Sequence, residues 1–463
     1  MENLSARYAE KIYNMSRSQF PSHVTDKARE CFIDYLSVVV GGCEGYSKIN
    51  NKFIEENRFS GTCHVVGNPQ TVDLTTAVMI NAFNAHVLEL DDSHRVAMTH
   101  LGAPIFSALL GVAEIYNSSL DSLLRAAVIG YEASIRLANT IQPSHKKRGF
   151  HVSGTCCTIG CAMGIAAMLG YSLEEMKNVL SASATSAAGL LGVSTGKSQQ
   201  KPYNVANAAV AGVNAALYGK LFHGAEDILG GPRGFLKVMS DYYQEEKLFE
   251  DGFAIEGIYQ KLYAACRHCH APMEAMLQLR KEQSFDSDEI EGITVHTYDL
   301  AIGGHDHTNI VGVSSAKQSI PYGVAVACKY QDCGMDAFTA QKVSDKALLD
   351  LVRKVKVKED SELTALVPGK RAAVVTVCLA DGKKYARRVD FPKGEPENPI
   401  TQDEFQEKFY TLTASAGMKH EKGTQVLDFV HSCGKEPVKK IYQWLSMKGS
   451  CYLERIDDEE RYT

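Results

Sequence analysis

Residues 154–216 are written largely in small side chains at helical spacing. Gly160, Gly164 and Ala167 lie in the uncharged run GTCCTIGCAMGIAAMLGY (154–171). Ala182, Ala184, Ala187 and Ala188 follow, and then Ala208, Ala209, Ala211, Ala215 and Ala216. Helices with such faces approach each other closely, so this stretch demands a tightly packed multi-helix core. The 154–171 run approaches the length of a membrane span. Its Gly, Ala and Cys content, with no basic anchors on both sides, instead predicts a helix at the centre of a soluble bundle.

A chain of 463 residues exceeds one ordinary core, and two domains are expected. From residue 1 to about 265 nearly every segment reads as helix, beginning with an amphipathic stripe of Leu4, Tyr8, Ile12 and Met15. Capping boxes at Ser172–Glu175 and Thr401–Glu404 mark helix starts. Near Phe285 the texture changes. Residues 291–299 alternate like a strand, and 372–391 form two β-rich runs around Asp381-Gly382, a hairpin signal. Residues 317–330 and 336–355 read as helix, as does 423–446, before an acidic tail that reads as solvated. The expected architecture is mostly α: a large all-helical domain built from both chain ends (1–269 and 396–463) and a smaller inserted α+β lid domain (270–395).

A net charge of −6 gives no reason to expect nucleic acid. The N-terminus lacks the apolar core of a signal peptide, which points to the cytoplasm and no membrane partner. The 13 cysteines are scattered, as buried thiols in a reducing compartment would be. Cys266-Arg-His-Cys269-His270 matches a haem-attachment pattern, but that requires export; a closed zinc site requires a second ligand pair that is not evident. No three-cysteine run for an iron–sulfur cluster is visible. No metal and no cofactor is expected.

The chemistry concentrates in NAFNAHVLELDDSHRVAMTHLGAP (81–104), a polar insert between two apolar helical segments. It holds His86, His94 and His100, Glu89, Asp91 and Asp92, Ser93 and Thr99. Groups this close perturb each other's pKa values, as acid–base sites require. His100 and His151 stand at segment junctions in small-residue surroundings, and histidine titrates nearest neutrality. Lys201 precedes Pro202, which suits the first turn of a helix. Lys261 and Arg267 bracket Leu-Tyr-Ala-Ala-Cys, near the junction between the expected domains.

The stretch His86-Val-Leu-Glu-Leu-Asp-Asp-Ser93 with a later histidine resembles the signature of the MmgE/PrpD family. So do Gly149-Phe150-His151, Lys201-Pro202, Cys266–His270 with Met273-Glu274-Ala275, and Ala316–Tyr322, in the same order. That family includes 2-methylcitrate dehydratases, cis-aconitate decarboxylases and an iminodisuccinate epimerase. The resemblance implies a homodimeric, cofactor-free lyase that moves a proton next to a carboxylate of a small di- or tricarboxylate. It implies His100 and His151 as proton-transfer groups, Asp91 or Asp92 as the residue orienting an imidazole, and Tyr322 as a site residue from the lid. Lys201, Lys261 and Arg267 become carboxylate holders, with Glu89 and Ser93 beside the substrate. Glu89 stands where the family usually has Asp, Leu101 where it has Pro, and the Ser93–His100 stretch is one residue longer than in the decarboxylases. His305 and His307 have no assignment. An isomerase of an amino- or imino-dicarboxylate and a non-catalytic homologue remain as alternatives.

Overall fold

A computed structural model describes residues 3–432 and 434–445. The fold is mostly α, and its centre is the helix Val152–Met168, buried from Val152 to Ala166. It packs between the helices Leu120–Ile141 and Lys201–Leu217, and also touches Gly102–Tyr116 and Leu173–Ser186. The small residues explain the closeness. A Cβ on Gly160 would lie 1.8 Å from Ser134 Oγ and 2.5 Å from Gly130 O, and one on Gly212 would lie 2.5 Å from Cys161 Cβ. The helix Leu74–Val87, N-capped by Asp73, is held between Lys201–Leu217 and Ser22–Cys43. The expected N-terminal stripe forms the helix Leu4–Arg17, with Leu4, Tyr8 and Ile12 buried.

Later in the chain a four-stranded sheet runs in the order Val355–Glu359, Ile290–Thr297, Ala373–Leu379, Lys384–Val389. The first pair is parallel and the others antiparallel, with Val295 opposite both Val357 and Val375. Alternate residues Ala373, Val375, Val377 and Leu379 point into the core. The helix His270–Glu282 packs on the last two strands and against Ile320–Tyr330. The chain then returns: Gln402–Ser415 packs on Ser22–Cys43, and Lys408 Nζ donates to Asp34 Oδ1 at 2.6 Å and to Leu90 O at 2.8 Å. Both capping boxes are present, at Ser172 and Thr401. Among the described residues no helix is long and apolar enough to cross a membrane.

Three expectations are corrected. Residues 218–269 are mostly turns and short 3-10 helices, with one short α-helix, Phe235–Met239; the glycines at 219, 224, 230, 231, 234, 252 and 257, with Pro232, interrupt any longer helix there. Residues 336–355 are not one helix, because Asp345 caps a separate one, Lys346–Arg353, and the edge strand starts at Val355. The helix expected over 423–446 ends at His431, before Gly434 and Pro437; its last residue, like the acidic tail, lies outside the described residues.

Gly160→Ala should destabilise the protein, since overpacking a filled core costs about 1–3 kcal/mol. Gly192→Ala, where no heavy atom lies within 4 Å, should leave the thermal midpoint unchanged. Equal midpoints for the two variants would contradict this packing.

Candidate active site

The polar insert is not a solvated loop. After the helix Leu74–Val87 the backbone turns through a left-handed Glu89 (φ 58°), and residues 90–94 are all buried. Its fastenings are specific. Asp92 accepts from Gly102 N (2.7 Å) and from the Tyr131 hydroxyl (2.5 Å), anchoring the start of the next helix. Burial and then the neighbouring Asp34 push its carboxyl up to about 7. Ser93 Oγ donates to Thr99 O (2.7 Å), and Ser93–His94 pairs with Ile258–Tyr259. Ala97 N donates to His94 Nδ1 (3.0 Å).

Inside this frame sits a carboxylate–imidazole cluster. Asp91 Oδ2 lies 2.8 Å from His86 Nδ1 and 3.3 Å from His100 Nδ1, the latter without the alignment of a hydrogen bond. The rings of His86 and His100 are 4.7 Å apart, and those of His86 and His151 6.1 Å. Burial alone would raise the Asp91 carboxyl, but His86 and His100 outweigh it and hold it well below the usual carboxylate range. Burial, assisted by Lys261, lowers His100 to about 4. Burial and Lys201 hold His151 well below 6.5. Both imidazoles are therefore neutral at pH 7. Asn204 Nδ2 donates to Leu190 O (3.0 Å), which fixes its amide, and to His151 Nδ1 (3.2 Å). The His151 proton is thus on Nε2. A carboxylate next to Nδ1 of His100 places that proton on Nδ1 and leaves the Nε2 lone pair free.

Glu89 lies on the lysine side of the cluster. Lys201, the first residue of its helix with Pro202 beside it, donates to Glu89 Oε1 in a short contact. The fully buried Lys261 donates to Glu89 Oε2 (3.4 Å), Glu89 O (3.1 Å) and Ala265 O (3.3 Å). Burial would raise the Glu89 carboxyl, but Lys201 and Lys261 hold it well below its usual range. The two lysines expected to face the substrate thus hold this carboxylate. Arg267 pairs with Glu395 and lies over the Tyr259 ring at 4.8 Å. Tyr322 stands apart: its hydroxyl donates to Ala337 O (2.9 Å) and its ring packs on Phe338. Of the two aspartates only Asp91 contacts imidazoles.

Several residues at or near the cluster had no role assigned from sequence. His86 stands one helical turn before Glu89, a spacing that could have revealed it. Lys317 donates to Val87 O (3.2 Å) and Leu88 O (3.1 Å), and burial lowers it to about 8. Gln318 Nε2 reaches Glu89 at 3.5 Å. Lys146 and His268 meet at 2.7 Å. His305 stacks on His268, and His307 bonds to Ser315. Among the described residues two groups bring ligand-type atoms within 4.8 Å of one another, His86/Glu89/His100 and Cys266/His268/His305. Both fit a dication poorly, because ammonium groups already sit on Glu89 and His268.

Buried neutral histidines carry a stability signature. His94 and His305 are lowered to about 3, and His100 and His145 to about 4, with burial the leading cause in each. The unfolded chain takes up these protons near pH 6.5 and the folded one does not, so stability falls as pH drops from about 6.5 toward 4. The slope is about 1.4 kcal/mol per pH unit for each group. Asp34 and Asp92, whose carboxyls are raised, oppose this but are outnumbered. The urea midpoint should therefore decline from pH 7 to pH 4.5; a flat profile would contradict neutral buried imidazoles.

The MmgE/PrpD N-terminal domain matches residues 6–247 and the MmgE/PrpD C-terminal domain residues 263–428. A cis-aconitate decarboxylase of Aspergillus terreus is 24% identical over 437 residues, 87% of each chain. A cis-aconitate decarboxylase of Homo sapiens is 23% identical over 437 residues, covering 88% of this chain and 87% of its own. Two domain matches in this order, spanning most of the chain, place the protein in the MmgE/PrpD family.

Proposed function

We propose that the protein is a cofactor-free lyase that moves a proton at the carbon next to a carboxylate of a small di- or tricarboxylate. The carrying observation is the pair of neutral, buried imidazoles with opposite tautomers beside a lysine-rich wall. His100, which keeps slightly more exposure than the fully buried His86, presents an Nε2 lone pair and takes the proton. His151 presents Nε2–H as a hydrogen-bond donor to the charge that develops, and the imidazolium of His100 returns the proton. Asp91 orients His100 and stabilises the imidazolium that forms. Lys201, Lys261 and Lys317 stabilise the charge that develops on the substrate carboxylate when the C–H bond breaks. If the proton passes to a leaving β-hydroxyl, the reaction is a dehydration; if instead CO2 leaves, its C–C electron pair shifts into a neighbouring double bond whose far carbon takes up a proton, a decarboxylation. The family membership and the names of the relatives support this reading. The protein acts in the cytoplasm as a homodimer, for which light scattering at micromolar concentration should report twice the chain mass.

The test is incubation in D2O with hydroxy- and unsaturated tricarboxylates, 2-methylcitrate and cis-aconitate among them, followed by NMR. Net conversion with loss of water or CO2 supports the lyase. Deuterium exchange without product loss would show an isomerase instead. Turnover lost on dialysis against EDTA and restored by a metal would overturn the cofactor-free mechanism.

His151→Ala should lower kcat by about 10²–10⁴ while circular dichroism stays unchanged. Lys201→Ala should chiefly raise KM, since it removes a binding cation and releases Glu89. Wild-type kcat/KM in both variants would place the chemistry elsewhere.

Glu89 brings its carboxylate about 1.5 Å further than Asp would, one C–C bond, and misplacement by about 1 Å costs on the order of 10²-fold. The wild type should therefore handle 2-methylcitrate and cis-aconitate poorly, and Glu89→Asp should gain activity on one of them. Wild-type kcat/KM above about 10⁴ M⁻¹s⁻¹ on either would refute this.

A further inference from the structure

Beyond the Glu89–Asp91 cluster lies a second group of charges that the proposed chemistry does not use. Lys146, in the one-turn helix Ser144–Lys147, places Nζ 2.7 Å from His268 Nε2. His268 Nδ1 lies 2.8 Å from the Tyr298 hydroxyl. Its ring stacks on His305 at 4.6 Å and 19°, and His305 Nδ1 donates to Gln318 O at 2.9 Å. These contacts fix the protons. His305 Nδ1 carries a hydrogen because a carbonyl faces it. His268 Nε2 accepts from the ammonium, so its hydrogen is on Nδ1. Both rings are neutral and the positive charge belongs to Lys146.

An ammonium has three N–H groups, and Lys146 uses one. Among the described residues the other two have no hydrogen-bond partner, and no carboxylate pairs with Lys146. Burial first, and then the neighbouring charge of Arg371, lowers the Lys146 ammonium to about 8. Arg371 is 4% exposed. It spends Nη2 on Arg95 O at 2.5 Å and leaves Nε buried without a partner. Nearby Arg95 and Arg267 are different, since Glu395 pairs with both. The contacts Lys146–His268, His268–His305 and His305–Gln318 lead back to Glu89, on which Lys201 and Lys261 already sit. A dication is repelled there, whereas an anion gains charge-assisted hydrogen bonds to donors that are otherwise unmet.

We propose that Lys146 and Arg371 form a second carboxylate-binding subsite, so that a substrate held at the His100–Lys201 end places a further carboxylate against them. The inference rests on the polycarboxylate reading above and adds the residues that count the substrate's charges.

Calorimetric titration with butyrate, glutarate and tricarballylate tests it without turnover. These ligands carry one, two and three carboxylates on a common carbon chain. Wild-type affinity should rise along the series. Lys146→Met should weaken glutarate and tricarballylate by about 10–100-fold, the range for a hydrogen bond to a charged group, and leave butyrate unchanged. Lys146→Arg should retain most of the affinity, and Arg371→Lys should lose part of it. Thermal melting confirms folding of each variant. If Lys146→Met binds glutarate as the wild type does, or loses butyrate equally, the subsite is refuted. If the wild type itself binds none of the three, or binds butyrate as tightly as tricarballylate, the polycarboxylate reading fails and the subsite with it.

Discussion

Everything at this site depends on ionised carboxylates being kept in a place without water. Asp91 is 1% exposed and Glu89 5%, and removing such a charge from solvent costs several kcal/mol even after relaxation. Two charges at about 4 Å recover about 4 kcal/mol at an effective dielectric of 20, so one partner barely offsets the penalty. Glu89 therefore has two lysines, while Asp91 rests on the hydrogen bond to His86 and the nearby Nδ1 of His100. The same arithmetic governs Asp34 with Lys408, and Glu395 with Arg95 and Arg267. The Glu89, Asp34 and Glu395 pairs join segments far apart in the chain, so the polar loop and the fold around it are mutually dependent. The fold supplies partners from four directions, and the loop's charges fix where those segments must end.

What was legible from sequence was whatever repeats locally. The small-residue helices, both capping boxes and the hairpin at Asp381-Gly382 are short-range patterns, and each appears where the pattern places it. The edge strand Val355–Glu359 was not legible because VKVKE is a lone alternating stretch after a strong helix. Its identity depends on the neighbour Ile290–Thr297 with which it pairs. The glycine-rich region from 218 to 269 was read as helix by continuity with what precedes it, although its glycines argued otherwise.

The site was legible in membership more than in connection. His100, His151, Glu89, Asp91, Lys201 and Lys261 do converge. That Lys201 and Lys261 grip Glu89, however, is a contact over 112 and 172 residues, and no local pattern encodes it. Asp91 and Asp92 are adjacent in sequence and opposite in duty. One meets imidazoles, and the other ties a helix start to Tyr131. A loop's side chains alternate in direction according to backbone turns that only tertiary packing sets, and here the left-handed Glu89 decides which aspartate faces which way.

The reach of Lys408 has a consequence for how the chain is made. It donates to Leu90 O, 318 residues upstream, and to Asp34, 374 residues upstream. During synthesis the N-terminal helices leave the ribosome long before this lysine does. In that interval Asp34 and the Leu90 carbonyl face a nearly finished core without their cation. The link between the loop and the helix Ser22–Cys43 is therefore completed only when the helix Gln402–Ser415 arrives, and a nascent chain halted short of it leaves the Asp34 carboxylate without its ammonium.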